Sequence, residues 1–183
     1  MRVVVYCTGR SDPFVLKKFA EFAGFVGKRG ISIKAAMKGN VFGVDDVLKR
    51  LPEIAQALCG EFEKLIVVLD GSELRKSKKH KSRGERIARA ADAVPQGMTI
   101  CIVYMNQYLE QVHKDCLPPK LHKEYDRESN KVRKSERFAK DMTKELAEKN
   151  TSYQDFAAAL RCECRQPLTK ESARAGKVFP EAS

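Results

Sequence analysis

The chain has 183 residues, of which 43% are hydrophobic and 32% are charged, and its formal net charge is +11. This length suits one globular domain with a helical appendage, and the hydrophobic fraction excludes a chain that is disordered throughout. The longest apolar runs are far shorter than the ~20 residues that cross a bilayer, so we expect no membrane-spanning segment. The excess of positive charge favours polyanionic partners.

Apolar runs alternate with helical patterns from the start of the chain. Residues 2–7 predict a buried strand, and Ser11, Asp12 and Pro13 then form a typical helix start. Three further runs predict strands: 31–37, 65–69 and 98–105. A second helix, with Pro52 marking a restart or a kink, separates the second and third strands. The pattern predicts an α/β domain with a mostly parallel sheet covered by helices on both faces.

This fold predicts which strands are neighbours in the sheet. Residues of the first, third and fourth runs are expected in adjacent parallel strands: Val3, Val5, Ile66, Val68, Ile100 and Ile102. The strand over 31–37 has the weakest pattern of the four.

The composition changes after the prolines at 118 and 119. We assign residues 1–117 to the α/β core, 118–165 to a helical extension packed on that core, and 166–183 to a flexible tail. A highly charged helix with one narrow apolar stripe is predicted over 120–150. Thr151 and Gln154 have capping-box spacing and predict the start of a further helix.

The six cysteines show no CxxC pair. Cys7, Cys59 and Cys101 lie in or beside apolar segments, where a thiol serves as a small core residue. Cys162 and Cys164 form an isolated CxC pair, which is weak evidence for zinc, and we expect ordinary free thiols. Free thiols and the absence of a signal-like N-terminal stretch predict a cytoplasmic protein.

Polar residues follow the first and third predicted strands. Ligands of parallel α/β sheets bind beyond the carboxyl ends of the strands, so the loops 8–12 and 70–73 are candidates. If these strands are neighbours, Asp12, Asp70 and Glu73 converge and offer the oxygen ligands that Mg²⁺ prefers. Helix capping by Asp12 and turn formation by the Asp-Gly pair at residue 70 are the structural alternatives.

These two loops, with the strands before them, resemble the Toprim domain. The matching segments read Val-Val-Val-Tyr-Cys-Thr-Gly-Arg-Ser-Asp over 3–12 and Leu-Ile-Val-Val-Leu-Asp-Gly-Ser-Glu over 65–73, and residues 152–156 are similar to the C-terminal helix of that family. The resemblance covers residues 2 to about 161 and is nearest to the small stand-alone Toprim-like proteins related to OLD-family nucleases. It implies a Rossmann-like fold and a divalent-metal site for phosphodiester cleavage.

Two acidic positions of the family are neutral in this chain. The family's first-loop glutamate aligns with Thr8, whereas Gly9 and Asp12 are kept; the second aspartate of its Asp-x-Asp pair aligns with Ser72. Neutral hydroxyls supply neither the charge that holds a divalent ion nor a carboxylate that moves a proton. Loss of the family's cleavage is one hypothesis, and an active nuclease rebuilt from Asp12, Asp70 and Glu73, with Glu110, is the alternative.

A strongly basic segment follows the Asp70 loop directly. Between residues 75 and 89 it contains eight cationic side chains and one acidic side chain, that of Glu85. The cationic residues are Arg75, Lys76, Lys78, Lys79, Lys81, Arg83, Arg86 and Arg89. A solvated helix face normally mixes both signs, so this imbalance favours binding to phosphates. We assign nucleic-acid contact to this segment and to Arg10; a surface that docks an acidic protein partner is the alternative.

The remaining motifs argue for backbone contact rather than base reading. The three histidines have no metal or triad spacing and are expected at the surface. Neither a dinucleotide fingerprint nor a Walker-type loop is present. With no tryptophan in the chain and few tyrosines near the basic segment, the sequence shows no obvious platform for base stacking.

Overall fold

Strands form one parallel sheet in the computed structural model of the chain, which describes residues 1–25, 31–35, 44–70, 89, 91–92 and 94–161. The sheet order is β2-β1-β3-β4. The strands are β1 (Val3–Cys7), β2 (Ile31–Ala35), β3 (Lys64–Asp70) and β4 (Thr99–Met105). Each described pairing is parallel, which confirms the predicted α/β class.

The register brings the predicted core residues together. Val5 of β1 pairs with Ile66 of β3, and Ile66 pairs in turn with Cys101 of β4. The expectation that the first, third and fourth apolar runs are adjacent parallel strands is therefore confirmed. Side chains alternate across such strands, so each strand contributes apolar residues to both faces of the sheet.

Helices on opposite faces follow the first two strands. Helix α1 (Asp12–Phe22) packs on the face that contains Val3 and Val5, whereas α2 (Val44–Leu58) packs on the face that contains Val4 and Leu65. The chain thus moves outward from β1 to β2 over one face and returns to β3 over the other. The strand order reverses between β1 and β3, which makes their carboxyl ends the topological switch point.

Helix α2 continues through Pro52 as one element, so the predicted restart does not occur. Within the described residues, five α-helices and the 3-10 helix Pro119–Leu121 follow β4. The α-helices are α3 (Leu109–Asp115), α4 (His122–Arg127), α5 (Lys131–Ala139), α6 (Lys144–Glu148) and α7 (Thr151–Leu160). Tyr125, Phe138 and Phe156 join the same core as Val3 and Val5. Of the helices in the described part of the chain, none is long and apolar enough to cross a membrane.

The prediction of a single helix over 120–150 is wrong, because this range contains three separate helices, α4, α5 and α6. Asn130 accepts a hydrogen bond from Arg133 N at 3.0 Å at the start of α5, and the Thr143 hydroxyl accepts one from Leu146 N at 3.4 Å at the start of α6. These side chains satisfy backbone donors that a new helix leaves unpaired. The apolar stripe is real, but polar caps interrupt the helix that carries it.

Helix α7 begins where the sequence predicts, with a different cap. Asn150 Oδ1 accepts from Ser152 N at 3.0 Å and from Tyr153 N at 3.4 Å. The Gln154 side chain instead donates to the Glu148 carbonyl. At the other end of α7, buried Lys64 of β3 donates to the Ala159 carbonyl, which fixes the helix C-terminus against the sheet.

Among the described cysteines, Cys101 differs from the prediction. Cys7, Cys59 and Cys116 are free. Cys101 is buried, as predicted, but it is disulfide-bonded, so the expectation of a free thiol is wrong there. Cys162 and Cys164 lie outside the described residues, as does the predicted tail over 166–183.

Candidate functional site

The switch point places the first predicted loop beside the end of β3. Cys7, the last residue of β1, pairs with Val68, so β3 extends two residues further and Asp70 pairs with Met105 of β4. The loop 8–11 therefore leaves the sheet next to the main chain of Asp70, the only part of that residue described. Glu73 and Arg75 to Arg86 of the basic segment lie outside the described residues, and Arg89 is exposed.

Asp12 closes the loop after β1 by folding back onto it. The Gly9 N–H donates to Asp12 Oδ2 at 2.6 Å, and the Asp12 N–H donates to the Gly9 carbonyl at 3.3 Å. The N-cap residue Ser11 makes no side-chain capping bond. The expected capping of α1 by these side chains is therefore wrong, since the Asp12 carboxylate binds the chain before the helix.

Gly9 leaves room for this close approach. A Cβ atom at Gly9 would lie 2.5 Å from Asp12 Oδ1, which is closer than a carbon and an oxygen can pack. Burial, reinforced by the negative charge of Asp12, raises the pKa of the neighbouring Cys7 thiol well above its usual range. The thiol beneath the loop is therefore protonated.

The described residues alone do not complete a metal site at this edge. Within the part of the chain that the structure describes, no three His, Cys, Asp or Glu side chains are grouped so as to hold an ion. One oxygen of Asp12 already accepts the Gly9 N–H, and Thr8 is neutral. A divalent cation here would need the Asp70 carboxylate and ligands from residues 71–88.

The far side of the same edge is formed by the segment after β4. The Asn106 N–H donates to Ser152 Oγ at 2.9 Å, and its side-chain amide donates to Thr151 Oγ1 at 2.6 Å. These bonds tie the end of β4 to the start of α7. Tyr108, two residues further, is 45% exposed. Arg10, on the β1 side of the edge, is also exposed.

Glu110, the fourth acid of the rebuilt-site hypothesis, is engaged elsewhere. Its carboxylate lies 2.7 Å from the Lys134 ammonium and 3.4 Å from that of Lys131. Partial burial raises the pKa of Glu110, but the hydrogen bonds and charges of the two lysines outweigh it and lower the pKa overall. Glu110 is thus a carboxylate whose charge the lysines of α5 already balance.

Next to this ion pair lies a buried polar cluster that the sequence analysis missed. The Tyr125 hydroxyl donates to the Glu110 carbonyl at 2.9 Å and lies 3.3 Å from His113 Nδ1. The Lys134 ammonium lies 4.7 Å from the centre of the Tyr125 ring. His113 is fully buried, so its predicted surface position is wrong. His122 is half-buried and contacts the Leu117 carbonyl, and His80 lies outside the described residues.

The spacing of apolar residues could have placed His113 inside. Leu109, Val112, Cys116 and Leu117 recur around it at the three- and four-residue intervals of a helix, which puts His113 on their face. Lys134 sits likewise four residues before Phe138. The pairing of these two polar residues with Tyr125 and Glu110 needed the tertiary packing of α3, α4 and α5.

The fold and its switch-point edge define a Rossmann-like α/β protein with a basic segment following the third strand. No family model, curated protein or solved structure matches the chain. The proposals below therefore rest on the topology, charge and contacts of this molecule.

Proposed function

We propose that this is a Toprim-like nucleic-acid-binding protein that contacts the phosphate backbone at the switch-point edge of its sheet. One observation carries the proposal. Residues 75–89 hold eight cationic side chains and one acidic side chain, and thus +7 of the formal +11 charge, in 15 residues. This segment begins five residues after Asp70, which ends β3 at the edge where parallel sheets bind ligands.

The contrast with the helical extension supports binding over simple solubility. There, basic side chains have acidic neighbours, as in the pairs Lys114–Asp126, Arg137–Glu124 and Lys149–Glu145. Mixed signs of this kind are typical of a solvated surface. In the sequence, the basic segment has one acidic side chain for its eight cationic side chains. The phosphates of a polyanion would balance this charge, and the release of their condensed counterions favours binding.

The proposal includes a cytoplasmic location and the loss of the family's metal chemistry. The free thiols of Cys7, Cys59 and Cys116 support that location, whereas the disulfide at Cys101 is uncommon in a reducing compartment. Thr8 supports the loss of metal chemistry, because it brings no charge to the first loop.

Salt dependence of binding tests the phosphate contacts. If about four phosphates are neutralised, affinity for unrelated oligonucleotides falls by roughly two orders of magnitude between 50 and 200 mM salt. Replacing Lys76, Lys78, Lys79 and Lys81 together with Ala should weaken binding to all sequences alike and flatten the salt slope, since phosphate contacts carry no base information. Fluorescence anisotropy with labelled DNA and RNA measures both quantities.

A control variant with the same change in net charge separates the effect of the position of the lysines from the effect of net charge. Lys17, Lys120, Lys123 and Lys140 are exposed, and their joint replacement with Ala should leave most of the affinity and the slope. Unchanged binding and slope in the folded Lys76–Lys81 variant would refute the proposal. Capture of an acidic protein by wild type, with no oligonucleotide binding, would support the protein-docking alternative instead.

A further inference from the structure

We infer that α5 is an acid-operated flap, which separates from α3 and α4 when His113 beneath it binds a proton, while the sheet stays folded. The inference is independent of the proposed nucleic-acid binding. It starts from a fully buried ring whose hydrogen bonds are incomplete, since His113 Nε2 has no partner among the described residues. Buried polar atoms are normally paired, so this exception needs a physical explanation.

The contacts around the ring show which atom accepts the proton. The Tyr125 hydroxyl, which has one hydrogen, lies 2.9 Å from the Glu110 carbonyl and 3.3 Å from His113 Nδ1. With that hydrogen donated to the nearer acceptor, the carbonyl, neutral His113 carries its own hydrogen on Nδ1 and donates it to the Tyr125 oxygen. Nε2 then keeps a bare lone pair inside the protein, and it is the atom that takes up the next proton.

The helices packed around the ring bring charged side chains of both signs: Glu110 and Lys114 from α3, Asp126 from α4, and Lys131 and Lys134 from α5. Two of these charges act on the ring, because Glu110 favours its protonation and buried Lys134 opposes it. Helix α1, which also packs against α3 and α5, adds no such charge within the described residues. Burial has the largest effect and lowers the pKa of His113 to about 4, although the Phe138 carbonyl raises it. The charged ring is therefore disfavoured while α5 covers it.

Helix α5 is held against this cluster by few apolar side chains. Five of its nine residues are exposed. The buried ones are two apolar and two polar residues: Phe138, Ala139, Lys134 and Ser135. Helix α7, in contrast, buries seven of its ten residues. The chain after α5 is anchored, because the Thr143 N–H donates to the Cys116 carbonyl at 3.0 Å. Separation of α5 alone therefore exposes the ring to water and leaves the strands and α7 in place.

The size of the effect follows from the two proton affinities of His113. The pKa of its ring is 6.5 when it is exposed in the open form and about 4 when it is buried in the closed form. Linkage then raises the ratio of open to closed molecules about twentyfold between pH 7 and pH 5. Glu110 contributes little over this range, because its pKa is lowered from 4.5 and its carboxylate stays ionised in both forms.

Hydrogen exchange of the wild-type protein in low concentrations of urea tests the inference. Opening of one helix exposes little surface and responds weakly to urea, whereas global unfolding responds steeply. After correction for intrinsic exchange rates, the amides of α5 should show weak urea dependence, and their protection should fall about twentyfold between pH 7 and pH 5. The amides of β3 and β4 should show steep urea dependence at both pH values. Equally steep dependence in α5 and in the strands would overturn the inference, because α5 would then open only with the whole protein.

Variants assign the response to His113. His113→Met removes the titrating ring and should abolish the fall in α5 protection. His122→Gln, at a half-buried histidine that contacts the Leu117 carbonyl, is the matched control and should retain it. Lys134→Met removes the charge that opposes protonation, so the pKa of His113 should move towards 6.5 and the fall should become smaller. An undiminished fall in His113→Met or in Lys134→Met would overturn the inference.

Discussion

At the scale of single residues, the conformation of the turn after β1 depends on Gly9 and Asp12 together. The carboxylate accepts the Gly9 N–H at 2.6 Å, and it occupies the space where a Cβ would stand. The sequence identified both residues through a resemblance, without their physical relation. The structure shows that the glycine makes room for the carboxylate that holds the turn.

This relation predicts non-additive effects on stability. Gly9→Ala should lower the free energy of unfolding by about 1 to 2 kcal/mol, because the displaced carboxylate loses a charge-assisted hydrogen bond. In an Asp12→Ala background the same change should be neutral or slightly stabilising, since the clash is gone and alanine restricts the unfolded chain. Urea unfolding of wild type, the two single variants and the double variant measures the coupling energy between the two positions. Additive changes in the free energy of unfolding would contradict the pairing.

His113 carries the second residue-scale prediction, on pH. Its pKa is lowered from 6.5 to about 4, because burial disfavours the charged ring more strongly than the Phe138 carbonyl and Glu110 favour it, while Lys134 lowers it further. Its Nε2 makes no hydrogen bond within the described residues. In the unfolded chain the ring binds a proton at higher pH, so stability is complete above pH 6.5 and falls as the pH drops towards 4.

The expected loss from this one residue is about 3 kcal/mol over that range. Unfolding in urea at several pH values measures it, by comparison with His113→Met, which should show a smaller slope. Tyr125→Phe removes the hydroxyl beside Nδ1 but leaves the ring buried, so it should keep the slope of wild type. A His113→Met variant with an unchanged slope would show that other groups cause the pH dependence.

At the scale of elements, helix starts in this chain depend on single side-chain caps. Asn150→Ala should destabilise the protein by about 1 kcal/mol, because two backbone donors at the start of α7 lose their acceptor. Asn150→Asp keeps an acceptor and should cost less. Gln154→Ala, at an exposed position, should change stability by less than about 0.5 kcal/mol. Thermal unfolding compares the three variants with wild type. A larger loss of stability in Gln154→Ala than in Asn150→Ala would support the capping box predicted from the sequence.

The strands were predictable because continuous apolar runs such as 65–69 suit a strand buried on both faces. Helix boundaries after residue 118 were not, since the apolar stripe of Phe138 and Met142 continues across breaks that Asn130 and Thr143 set locally. The sequence pattern predicts which strands are neighbours in the sheet. It does not predict which face of the sheet each helix covers.

At the scale of the whole molecule, the proposed binding edge rests on charge and topology together. Of the described acids near the switch point, Asp12 already binds the Gly9 N–H, and Glu110 pairs with Lys131 and Lys134. A site that binds polyphosphate without cleaving it needs the positive field and not the carboxylates that hold Mg²⁺. Under the proposed function the net charge attracts the polyanion, whereas cleavage would require carboxylate ligands beyond the one that the first loop offers, Asp12.

We therefore expect purified protein to cleave neither DNA nor RNA with Mg²⁺ or Mn²⁺, and calorimetry to detect at most weak binding of either ion. Thr8→Glu combined with Ser72→Asp restores both acids of the Toprim pattern and should strengthen Mn²⁺ binding, because two carboxylates join Asp70 at the edge. Thr8→Gln with Ser72→Asn, similar in shape and neutral, is the matched control. Robust cleavage by wild type that Asp70→Ala abolishes would instead establish an active nuclease, with the missing charge supplied by Glu73.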